Sequence, residues 1–136
     1  MASLVLLDDG TPHEVPGIAT RDAAWVDPAA LAAATGWTLK PEGLCRDAVC
    51  VPVRDRALLV RDGRVHLATF AALLDRPLAL DGAEGVAALG ASAAERGARL
   101  RSLEAPDFTL PDLDGHPHTL AEQRGRKALL LAWAGW

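Results

Sequence analysis

Two thiols, Cys45 and Cys50, are the chain's whole complement of cysteine, and they lie in the stretch LCRDAVC at a C-x4-C spacing. Two sulfurs that can meet support three chemistries. They can cycle between dithiol and disulfide, they can clamp a soft ion as thiolates, or they can pack as small apolar groups. Arg46 follows Cys45 directly and is placed to favour its thiolate. A four-ligand zinc site needs two more ligands and usually a tighter C-x2-C step, so no metal is assigned. In one continuous strand, residues five apart point to opposite faces, so the pair meets only if a turn at Arg46-Asp47 folds the segment back. The packing alternative makes Cys50 a core residue and Cys45 a loop residue.

Other residue types with chemical potential are explained by local structure. His116 and His118, in GHPHTL, sit at the tip and return strand of an expected hairpin, where polar residues belong. His13 falls in an expected loop and His66 at a helix start, with no evident partner. Asp8, Asp9, Asp107, Asp112 and Asp114 cluster at Asp-Gly turns and strand ends, where a carboxylate bonds to nearby backbone N–H groups. No G-x-G-x-x-G or G-x4-G-K-[ST] follows a strand, so no nucleotide cofactor is expected, and no other cofactor site is assigned. Trp25, Trp37, Trp133 and Trp136 read as core or sheet-face residues. A formal charge of -4 removes any general attraction to nucleic acid. No run approaches the roughly 20 apolar residues that span a bilayer, and MASLVLLDDG lacks the basic start of a signal peptide. The expected compartment is the cytoplasm.

Elements that would hold these residues follow from patterning. Ser3–Leu7 reads as a first strand closed by Asp9-Gly10, and Thr11–Ala24, rich in Pro, Gly and charge, as loop. DPAALAAATGW is a helix with Asp27 as N-cap, Pro28 at its first position and Gly36 just past its end. Short strands are expected at 37–39, 48–53 and 57–60, with a hairpin at Asp62-Gly63. LATFAALLDRP and SAAERGARLRSL have helical spacing, and two strands flank Asp81-Gly82. The fold class is therefore α+β, with a module over 1–104 and a change of character at Ala105. From there a hairpin is expected around Asp114-Gly115, then a short helical turn, then ALLLAW (128–133) as a strand buried on both faces.

This last quarter resembles the opening of a redoxin domain of the alkyl hydroperoxide reductase and thiol-specific antioxidant group, within the thioredoxin-like superfamily. Ala105, Pro106, Asp107, Phe108, Leu110, Asp114 and Gly115 match the family's A-P-D-F hairpin. Leu120, Arg124, Gly125 and Lys127 match the turn that follows, and Trp133, Ala134 and Trp136 match the strand end. The resemblance implies an α+β architecture in which 105–136 begins a thioredoxin-like domain, and thiol-based chemistry, either peroxide reduction or disulfide exchange. The family's catalytic cysteine would follow Trp136, so no catalytic residue is carried over and the chain alone is expected to be inactive. The implied partners are a thiol reductant and the remainder of the redoxin domain, with neither nucleic acid nor membrane. Self-association through an exposed strand at 128–133 is a further expectation. Cys45 and Cys50 stand as the possible redox pair of the N-terminal module. The competing reading, from a different class, is a non-enzymatic module that binds a soft metal or a partner protein through them.

Overall fold

The computed structural model describes residues 3–134. In chain order the elements are β1 (Ser3–Asp8), β2 (Thr11–Ala19), β3 (Ala24–Val26), α1 (Pro28–Thr35), β4 (Thr38–Lys40), β5 (Gly43–Arg46), β6 (Val49–Val51), α2 (Arg56–Leu59), β7 (Val60–Arg61), β8 (Arg64–His66), α3 (Leu67–Leu73), β9 (Leu78–Asp81), β10 (Val86–Leu89), α4 (Ala93–Arg101), β11 (Thr109–Pro111) and β12 (Pro117–Thr119). A short 3-10 turn at Leu120–Gln123 follows. The fold is α+β. Among the described residues no helix is long and apolar enough to cross a membrane.

Seven strands form one mixed sheet in the order β7-β8-β3-β2-β1-β10-β9, in which only β1 and β10 run parallel. Two of its hairpins turn on Asp-Gly pairs. Asp9 and Gly10 (φ 48° and 89°) and Asp62 and Gly63 (φ 50° and 73°) both take left-handed conformations, the geometry that matches the twist of the flanking strands. Alternation then sorts the strands' side chains. Leu4, Leu6, Val15, Ala24, Val26, Val65, Ala87 and Leu89 face inward and are buried with Leu31 of α1 and Leu67 and Phe70 of α3. Residues Val5, Ile18 and Trp25 occupy the other face.

Helix α1 forms as its caps dictate. The Asp27 carboxylate accepts the N–H of Ala30 at 2.8 Å, and Gly36 ends the helix at φ 75° with its N–H on the Ala32 carbonyl. A second, three-stranded sheet in the order β4-β5-β6 carries the cysteines. Leu39, Leu44 and Val51 form one row across it and join the core, which leaves the row Thr38, Cys45, Cys50 on the opposite face.

Three expectations are corrected. Thr11–Ala24 is not loop: it holds the nine-residue β2 and the start of β3. Pro12 and Pro16 are tolerated inside β2 because their missing N–H groups would point away from β1, to the side where β3 pairs only with Gly17–Ala19. Segment 57–60 is mostly a helical turn, because the Asp55 carboxylate accepts the N–H groups of Ala57 and Leu58 and starts α2. Residues 128–133 do not form a strand. No described segment offers them a backbone to pair with, and Leu129, Leu130, Leu131 and Trp133 all stand exposed. Trp136, at the end of that expected motif, lies outside the described residues.

The chain divides into two compact units, Met1–Ala98 and Arg99–Trp136. The second unit carries a hairpin and a 3-10 turn, and none of its described residues is buried. It is held by polar contacts: the Asp107 carboxylate accepts the N–H of Ala121 at 2.8 Å, and Thr119 and Glu122 form a capping box.

Candidate functional site

β5 and β6 are joined by a two-residue turn, Asp47-Ala48, with Asp47 at φ 52°. Arg46 pairs with Val49 to close that turn, so the next pair back, Cys45 with Cys50, occupies the non-hydrogen-bonded register. That register brings side chains on neighbouring strands closest. The Cα atoms are 4.1 Å apart and the two sulfurs are joined as a disulfide. The turn, one residue later than expected, converts a spacing that separates the cysteines in a single strand into one that places them face to face.

Their exposures differ, and in the opposite sense to the packing expectation. Cys45 lies in the middle strand, flanked by Thr38 on β4 and Cys50 on β6, and is 3% exposed. Cys50 lies on an edge strand and is exposed. Any reactant therefore reaches the bond from the Cys50 side. In the bridged state neither sulfur is a thiolate, so a soft ion has no clamp until the bond is reduced.

Arg46 does not direct its charge at Cys45. As the neighbouring residue in a strand it faces the other way, where its guanidinium lies over the Trp37 ring at 4.8 Å and its Nη2 donates to Glu95 Oε1 at 2.7 Å. Arg46 also runs close past Gly36, where a Cβ would sit a tight 3.2 Å from its Cδ. Glu95 Oε2 accepts the Ser92 N–H and hydroxyl at 2.9 and 3.1 Å, while Glu95 N–H returns to Ser92 Oγ. The hydrogen bond from Arg46, aided by the Ser92 N–H, holds the Glu95 carboxyl down at about 2. Ser92-x-x-Glu95 is a capping box that starts α4, and this S-x-x-E pattern is the sequence signal through which Glu95 could have been found. The indole N–H of Trp37 is buried with no hydrogen-bond acceptor.

A second polar cluster was not anticipated. Arg76 is almost wholly buried; its Nε donates to the Gly90 carbonyl at 2.7 Å and its Nη2 to the Leu89 carbonyl at 3.2 Å. Asp8 Oδ1 lies 2.6 Å from the same Nη2 yet has no aligned hydrogen bond, so the contact is a close ion pair without hydrogen-bond geometry. The cluster ties the segment after α3 to the ends of β1 and β10 and is structural.

The histidines separate. His66 is oriented after all, with Nδ1 2.8 Å from Thr69 Oγ1 and its ring stacked on Trp25 at 4.5 Å between centroids. His13 is half-buried in β2 instead of lying in a loop. His118 and His116 both approach the Asp112 carboxylate, at 3.0 and 3.6 Å. His118, with the backbone N–H of His116, pulls the Asp112 carboxyl below its usual range. Asp112, Asp114 and His116 offer ligand atoms within 4.8 Å of one another, but in full solvent, and Asp112 Oδ1 is committed to the turn through the N–H groups of Asp114 and His116. Comparison with protein-family models, with curated proteins and with solved structures finds no match for this chain.

Proposed function

We propose that the chain belongs to a thiol-based redox protein and that Cys45 and Cys50 are its disulfide-exchange pair. The observation that carries this reading is the register: two cysteines directly opposed on a hairpin, bridged, one buried and one exposed on an edge strand. The resemblance of 105–136 to the opening of a redoxin domain supports the same class of chemistry, and a dithiol reductant in a cytoplasmic setting is the partner it calls for.

The step follows from the exposures. A donor thiolate attacks Cys50 Sγ, the S–S bond breaks, and Cys45 Sγ leaves with the bonding electron pair and takes a proton. The donor's second thiol then attacks the mixed disulfide at the donor sulfur. The donor leaves oxidised to a disulfide and the chain is left with two thiols. Cys50 is the attacked sulfur because it is the accessible one.

Equilibration against graded ratios of reduced and oxidised dithiothreitol, followed by alkylation and intact mass, tests the reading. An exchange pair has its midpoint in the range of about -180 to -270 mV spanned by known dithiol donors and oxidants. A midpoint below about -300 mV would mark a permanent structural bond and end the proposal.

A further inference from the structure

The outer face of the seven-stranded sheet carries a cleft that the redox reading does not use. Ile18 pairs with Trp25, Trp25 with His66, and Arg64 with Arg61, so these side chains share one face across β2, β3, β8 and β7. Ile18, Trp25, Arg61, Asp62 and Arg64 line an open cleft of about 180 Å³. Its apolar wall is preset: the Trp25 ring is stacked on His66, which is itself held by Thr69. Its polar wall is two guanidiniums directly opposed on neighbouring strands, an arrangement that costs stability when nothing lies between them. Only Asp62 approaches, 3.9 Å from Arg61 and in solvent, and among the described residues no carboxylate pairs with Arg64.

We propose that this cleft binds a small aromatic carboxylate, with its ring against Trp25 and Ile18 and its carboxylate on Arg64 and Arg61. An indole offers a flat stacking surface, and guanidinium groups match a carboxylate with two parallel hydrogen bonds. Two arginines less one aspartate leave a single positive charge, which suits a monoanion better than a phosphate dianion. The cleft is below the roughly 300–1,000 Å³ of drug-sized sites, so it takes one ring and its head group.

Titration of the intact chain with benzoate, followed by amide and indole NMR shifts, tests this. Benzamide and acetate serve as the probes that lack the charge and the ring. Benzoate should shift Ile18, Trp25 and 61–64 saturably, with a dissociation constant on the order of 1 mM, and the two controls should bind at least about tenfold more weakly, near 1.4 kcal/mol. The R61A/R64A double variant, altered only at exposed positions, should keep the native spectrum and lose benzoate binding. D62N keeps a residue suited to the left-handed turn and should tighten binding by removing the competing charge. Equal binding of acetate or benzamide, or benzoate shifts unchanged in R61A/R64A, would overturn the proposal.

Discussion

Opening the Cys45–Cys50 bond should weaken the fold by a modest, calculable amount. The cysteines are five residues apart, so the disulfide closes one of the shortest loops a hairpin allows. In the chain-entropy account, closing a loop of that length removes about 7 cal/mol/K from the unfolded ensemble, or about 2 kcal/mol at room temperature. Small domains are stable by roughly 5–15 kcal/mol, so the reduced chain should remain folded, as an exchange cycle demands. Through the thermodynamic cycle, folding must favour the bond by the same amount. At about 30 mV per 1.4 kcal/mol, the midpoint in the folded chain should lie about 45 mV below that in concentrated guanidinium. Urea unfolding of oxidised and reduced protein, followed by tryptophan fluorescence, measures the first quantity; dithiothreitol equilibration with and without denaturant measures the second. The two must agree. A reduced chain that unfolds outright would refute the reasoning by making the hairpin's pairing depend on the covalent bond, and a midpoint that does not move on denaturation would refute it by showing bond and fold to be uncoupled.

The Arg46–Glu95 pair makes stability depend on pH. Glu95 is held near 2 against an ordinary 4.5, so its contribution is complete above the ordinary value and is lost as pH falls toward 2. Both side chains are over a third exposed, which screens the pair to about 1 kcal/mol. E95Q should therefore trail the wild type by about 1 kcal/mol in urea unfolding at neutral pH, with the gap closing near pH 2; a pH-independent gap would assign the loss to packing. R76M strands the Asp8 carboxylate and two carbonyls in a nearly dry site and should cost about 3 kcal/mol by the same assay. Adding D8N should recover part of that loss, and a double variant no more stable than R76M would show that the carboxylate was never a burden.

Local chemistry made much of the architecture legible. Asp27, Pro28 and Gly36 specify α1 because caps act within a few residues, and Asp9-Gly10 and Asp62-Gly63 specify hairpins because their left-handed backbone suits few other residues. The identity of the two thiols, and the need for a turn between them, also belonged to the sequence. What prolines meant in Thr11–Ala24 did not, because their cost depends on whether a neighbouring strand needs the missing N–H group, and that is settled by which strands are adjacent. The fate of 128–133 turned on the same condition: an apolar run becomes a strand only where another backbone accepts its hydrogen bonds, and composition cannot supply one. Register decided the site itself. A turn at Asp47-Ala48 opposed Cys45 to Cys50, sent Arg46 to Glu95 across 49 residues, and left Cys50 as the open sulfur. The Arg46–Glu95 contact joins residues distant along the chain, and the cysteine pairing depends on the exact turn register; only the folded backbone decides either.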